Sequence, residues 1–184
     1  PGLMRQHLTS VEAACTVCSG TATGVSLGAT RLEFTPGPIR GGEYTFSIGT
    51  AGSTTLVLQT ILPALVTAAE HSTITLSGGT HNMHAPSVHF LQHAFLPLIN
   101  RMGPTVHLEL ERHGFYPAGG GRIRIGVEPS AALQPLEIMD ATPITGRRAI
   151  ATIAGLPPSI AKRELAVFTE KLGWPEECLQ IQQL

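Results

Sequence analysis

The sequence predicts an α/β (α+β) fold of repeated βαβαββ units, with four-stranded sheets and helices packed on one side. Three observations predict it. Between Gly42 and Glu128 the hydrophobic patterns run strand, helix, strand, helix, strand, strand. Partial versions of that order flank the block, so one complete repeat is expected with parts of its neighbours. The composition is 42% hydrophobic and 14% charged over 184 residues, which suits a packed core and excludes a disordered chain.

The elements follow in order. Leu3 to Gly20 reads as a helix, because Leu3, Leu8, Val11, Ala14, Cys15 and Cys18 fall roughly on one face and Gly20 can stop it. Thr30 to Thr35 alternates as a strand before the turn Pro36-Gly37-Pro38. Gly42 to Ile48 is a second strand, with Tyr44, Phe46 and Ile48 on one face. A glycine-rich run, Gly49 to Thr55, opens a helix to about Ala69. Thr73 to Ser77 is a short strand, ended by Gly78-Gly79-Thr80. Ala85-Pro86 starts a helix to about Met102. Strands at Thr105 to Arg112 and Arg122 to Glu128 are joined by a glycine-rich loop. Arg148 to Ala154 reads as a strand, Pro157-Pro158 opens a helix to about Leu172, and Cys178 to Leu184 starts another strand. Residues 1–41 are thus the end of one repeat, 42–128 the complete one, and 147–172 the start of a third.

Charge and cysteine content narrow the class. The net charge is −1, so bulk electrostatics does not mark a nucleic-acid binder. Cys15, Cys18 and Cys178 are few and odd in number, which argues for a reducing, cytoplasmic compartment and against a disulfide scaffold. The most apolar stretch, Leu56 to Ala69, is shorter than the ~18 residues of a membrane span and is broken by Gln59, Thr60, Pro63 and Thr67. No secretory signal pattern opens the chain. Both ends read as cuts through a larger fold.

Three glycine-rich junctions can carry chemistry. His113-Gly114-Phe115-Tyr116-Pro117-Ala118-Gly119-Gly120-Gly121 lies between two strands. Its backbone N–H groups can form an anion-binding nest, or its glycines can simply turn a wide hairpin. Ile48 to Thr55 lies at a strand-to-helix crossing, where free N–H groups and the helix dipole suit a phosphate. Ser53 or Thr54 can equally serve there as an N-cap. No Lys follows the second glycine, so this is not a Walker A loop. The third junction is Ser77 to Pro86. It contains His81 and His84 and precedes His89 and His93. His89 and His93 have the i, i+4 spacing of a zinc pair, but no third ligand is evident from spacing, so structural histidines are expected and no metal site. Cys15-Thr16-Val17-Cys18 lies within a helix pattern and reads as buried small hydrophobes.

The segment His113-Gly114-x-x-Pro117-x-Gly119-Gly120-Gly121-x-Ile123 resembles the signature of the RNA 3′-terminal phosphate cyclases. Pro1-Gly2-Leu3-x-x-Gln6-His7-Leu8, Thr50-Ala51-Gly52-Ser53 with Gln59 and Pro63, and Ser77-Gly78-Gly79-Thr80 with Ala85-Pro86 resemble three further blocks of that family, in the same order. The resemblance implies the repeat fold, akin to enolpyruvyl transferases, and an inserted small α/β domain beginning within 173–184. It implies ATP-dependent conversion of an RNA 3′-terminal phosphate to a 2′,3′-cyclic phosphate, assisted by Mg²⁺ or another divalent cation. It places Gln59 at a nucleotide contact, Pro86 at the adenine pocket, and Arg5 and Gln6, near Gly52 and Ser53, at a phosphate or RNA pocket. His113, Gly114, Pro117, Gly119, Gly120 and Gly121 form the signature loop.

The same resemblance puts the nucleophilic histidine beyond Leu184 and an acidic and basic part of the active site ahead of Pro1. The chain alone is therefore expected to lack adenylylation. An alternative of the same fold is a non-catalytic cyclase-like protein of ribosome biogenesis. An enolpyruvyl transferase ranks behind both, because this chain's two lysines, Lys162 and Lys171, both fall in its last helix.

Overall fold

The computed structural model describes residues 2–184; Pro1, the first residue of the opening motif, lies outside the described residues. The chain forms two compact units, one up to Glu137 and one from Ile138 to Leu184. The first contains α1 (Arg5–Val17), β1 (Thr21–Thr23), β2 (Glu33–Thr35), β3 (Gly42–Ser47), α2 (Thr54–Leu65) and β4 (Ser72–Gly78). It continues with α3 (Val88–Phe90), which passes through a π-helical turn (Leu91–Phe95) into α4 (Leu96–Asn100), and with β5 (Thr105–Arg112) and β6 (Gly121–Glu128).

β3 to β6 form one mixed sheet in the order β3-β4-β6-β5. The β3–β4 pair is parallel, because α2 carries the chain back across the sheet, and the other two pairs are antiparallel. Register sorts the side chains by face. Phe46, Leu76, Ile123 and Leu110 lie in one row, and Ile74, Ile125 and Leu108 in another. Glu43, Thr45, Arg124 and Glu109 face the opposite way. The apolar face is covered by Val57, Leu58, Ile61 and Leu65 of α2 and by Val88, Leu91 and Leu96 of the helix after β4. Ala13 and Val17 bring α1 into the same core. The mixed α/β fold, with a four-stranded sheet and helices on one side, is the predicted one.

The differences are local. The expected strand at Thr30 to Thr35 shortens to Glu33–Thr35, because its partner β1 offers only three residues. β1 itself has no alternating apolar pattern to announce it; two of its three residues are exposed. α2 ends at Leu65, short of the predicted Ala69. The second helix begins at Val88, three residues after the predicted Ala85, because the Ser87 side chain caps it by accepting from Phe90 N–H at 3.2 Å. Its π-helical turn falls where Pro97 removes the N–H that would have bonded the His93 carbonyl.

The second unit packs α5 (Pro158–Leu172) on β7 (Ala149–Ile153) and β8 (Leu179–Gln183). Within residues 173–184, Leu179 to Gln183 form a parallel partner and pair with Ala149 to Ile153 in register. The link is a βαβ crossover. Ala161 and Leu165 of α5 pack on the buried Ala149, Ala151 and Ile153. Among the described residues no helix is long and apolar enough to cross a membrane.

Candidate functional site

The start of α1, the β3–α2 crossing and the loop after β5 meet around one cleft of about 450 Å³. It is lined by Arg5, Gln6, His7, Thr50, Gly52, Tyr116 and Pro117, with Met4 and Ala51. Arg5 is exposed, and among the described residues no carboxylate pairs with it. A free guanidinium at the mouth of a cleft suits a phosphate or carboxylate. No acidic residue lines the cleft. These residues suit an anion, and the lining offers no carboxylate to anchor a Mg²⁺ ion.

The glycine-rich junctions converge, and they do so by packing backbone on backbone. Gly119 has φ +69°, and a Cβ there would lie 2.8 Å from Ala51 Cα. Gly114 sits against Gly78 and Gly121, with no room for a side chain. Gly79 N–H donates to Gly52 O at 2.7 Å, and Thr54 N–H to Gly79 O at 2.9 Å. Gly114 is clamped to Thr80: Thr80 N–H donates to Gly114 O, and Gly114 N–H to Thr80 Oγ1, both at 2.9 Å.

Of the two readings of this crossing, the structure shows the N-cap by Ser53. The N-terminus of α2 does not present a row of free donors. Ser53 N–H is taken by Gln6 Oε1 at 2.6 Å, Leu56 N–H by Ser53 Oγ at 3.3 Å, and Thr54 N–H by Gly79. Ser53 is buried and acts as the N-cap. Of the signature residues, Pro117 reaches the cleft and Gly119 packs beneath it, Gly120 is exposed, and Gly114 and Gly121 are structural.

Gln59 lies elsewhere. It lines an apolar groove of about 290 Å³ with Leu62, Pro63, Val66, Phe95 and Ile99. Pro63 has no N–H for the Gln59 carbonyl, so that carbonyl lacks its α2 donor. Pro86 is tied to the same helix face, since Thr55, one turn before Gln59, donates through Oγ1 to Pro86 O at 2.7 Å. From Ser53 to Gln59 the helix rises ~9 Å at 1.5 Å per residue. α2 therefore joins the two candidate subsites, which remain separate concavities.

His113 is in neither. It meets His81 and His89, and the three ring nitrogens lie within 4.8 Å of one another. His81 Nε2 is 3.1 Å from His89 Nδ1, and His113 Nε2 is buried without a partner. Phe115 stacks on His113 and tilts against His81. Burial, then the neighbouring His89 and His113, push His81 down to about 4. Burial comes first for His89 as well, with His113 and His93 adding, and burial lowers His113. All three imidazoles are thus neutral near pH 7. His93, the i, i+4 neighbour of His89, is not one of the three; the fold supplies His113 from a distant loop. Cys15 and Cys18 are free thiols, and burial with the neighbouring Cys18 raises Cys15, as suits inert packing residues.

Fold and cleft define a class: a βαβαββ α/β protein with an anion-sized cleft at glycine-rich crossings. Comparison with known proteins makes it particular. The chain belongs to the RNA 3′-terminal phosphate cyclase family, whose description matches residues 1–181. It is 55% identical over 179 residues to the RNA 3′-terminal phosphate cyclase of Pseudomonas fluorescens, covering 97% of this chain and 52% of that protein. It is 52% identical over 180 residues to that of Ectopseudomonas mendocina, covering 98% and 52%. For Koribacter versatilis the identity is 47% over 180 residues, covering 98% and 51%. The chain spans about half the length of the curated relatives it matches.

Proposed function

We propose that the protein carrying this chain converts an RNA 3′-terminal phosphate to a 2′,3′-cyclic phosphodiester at the expense of ATP. Adenylylation of a histidine releases pyrophosphate. The AMP passes to the RNA 3′-phosphate, and the adjacent 2′-OH then attacks that phosphorus and expels AMP. The adenylylated histidine has no counterpart in motif context among the eight here, so this chain supplies binding and positioning. The observation that carries the reading is the single cleft shared by Arg5, Gln6, Thr50, Gly52 and Pro117, in a chain about half identical to relatives so named.

In this reading Arg5 holds a phosphate of the nucleotide or of the RNA end. Gln6 orients the β3–α2 crossing through Ser53. Gln59 and Pro86 sit on the adenine side of α2. A divalent cation would neutralise phosphate charge during transfer, and no carboxylate lining this cleft anchors it.

Incubation of the full-length protein with α-labelled ATP and Mg²⁺ tests the proposal. An acid-labile protein–AMP adduct is expected, discharged by RNA with a 3′-phosphate and not by RNA with a 3′-hydroxyl. A folded protein that forms no adduct would instead be a non-catalytic relative.

A further inference from the structure

We propose that His81, His89 and His113 form a binding site for one divalent transition-metal ion of the zinc class. The site is separate from the Arg5 cleft and does not rest on the cyclase reading. The three side chains come from three different segments. His81 lies in the loop after β4, His89 in α3, and His113 in the loop after β5. Their ring nitrogens already lie within 4.8 Å of one another. In a tetrahedral zinc site with Zn–N bonds of ~2.0–2.1 Å, ligand nitrogens stand ~3.3 Å apart. The His81 Nε2 to His89 Nδ1 separation is 3.1 Å. His113 brings a third ring nitrogen within 4.8 Å of both, and its Nε2 is buried with nothing to bond.

The surroundings suit a metal. His81 Nδ1 is 2.8 Å from Thr80 Oγ1. The Thr80 hydroxyl hydrogen is directed to Gly114 O, at 3.3 Å. In the tautomer in which this oxygen accepts from His81 Nδ1–H, the Nε2 lone pair is turned toward His89. An outer hydrogen bond of this kind fixes the tautomer and orientation of a metal-ligating imidazole. Phe115 walls the cluster on one side. Three imidazoles and no carboxylate select borderline ions such as Zn²⁺, Co²⁺ and Ni²⁺ over Mg²⁺. Because Thr80 and Gly114 are already clamped together, a bound ion would pin the signature loop to the β4–α3 crossing and leave one coordination position open.

The test uses the full-length protein stripped with a chelator and titrated with Zn²⁺ or Co²⁺. The expected result is one ion per chain. The Co²⁺ form should show the intense visible d–d bands of a four-coordinate site, which Zn²⁺ displaces and excess Mg²⁺ does not. His81→Gln and His113→Gln should each weaken Zn²⁺ binding by at least roughly 10- to 100-fold, the loss seen when even an outer partner of a ligand is removed. His107→Gln, on an exposed position of β5, should leave it unchanged. Circular dichroism of the metal-free variants checks that they fold. Co²⁺ spectra of octahedral type in the wild-type protein, less than one ion bound per chain, or equal affinity in His113→Gln and His107→Gln would each overturn the proposal.

Discussion

Arg5 and Gln6 are neighbours in sequence and do different work. Arg5 is exposed and has no carboxylate partner among the described residues. Arg5→Ala should therefore leave stability within ~0.5 kcal/mol, as for surface substitutions, while weakening phosphate binding by ~1.5–3 kcal/mol, the value of a hydrogen bond to a charged group. Gln6 spends its Oε1 on Ser53 N–H at 2.6 Å. Gln6→Ala orphans that donor and should cost ~1–3 kcal/mol of stability, read as a lower melting temperature. Equal melting temperatures for the two variants would contradict this division. Gln59 borders an apolar groove, and Gln59→Ala should weaken ATP binding by ~1–2 kcal/mol, the scale of one lost hydrogen bond. Calorimetric titration checks it, and an unchanged affinity would remove Gln59 from the nucleotide site.

At the scale of elements, the β3–α2 crossing, the β4–α3 crossing and the β5–β6 loop are held together by one another's backbones. Gly119 shows how tight this is, with φ +69° and Ala51 Cα where its Cβ would stand. Gly119→Ala should cost more than the ~1–2 kcal/mol of a left-handed conformation alone. It should also lower nucleotide affinity, because Ala51 and Thr50 beneath the loop belong to the cleft. Thermal unfolding and a binding titration measure the two effects, and an unaltered melting temperature would show that the loop does not pack as described. Much of this level was legible beforehand. Tyr44, Phe46 and Ile48 alternate, and the sheet buries that face. Strand β1 was not legible, because three largely exposed residues leave no hydrophobic pattern. Nor was the fate of the helix N-terminal donors, since the group that takes Ser53 N–H belongs to a residue 47 positions away.

For the whole molecule, the βαβαββ order between Gly42 and Glu128 sufficed to predict a four-stranded sheet with helices on one face. What the order could not show was which loops share an end of that sheet. The antiparallel β4–β6 pairing sets Gly78 opposite Gly121. This carries His113 to His81 and Pro117 to Arg5, and no spacing in the chain encodes either meeting. These meetings build the cleft of Arg5 and Gln6, which in the function proposed above serves an RNA end or its nucleotide. That role is tested most directly by following RNA ends. Full-length protein is incubated with ATP, Mg²⁺ and an RNA bearing a 3′-phosphate, and the 2′,3′-cyclic product is measured for wild type and Arg5→Ala. Conversion by wild type is expected, with a loss of roughly 10- to 100-fold in the variant at equal melting temperature. A variant as active as wild type, or a folded wild type that leaves the phosphate unchanged, would contradict it.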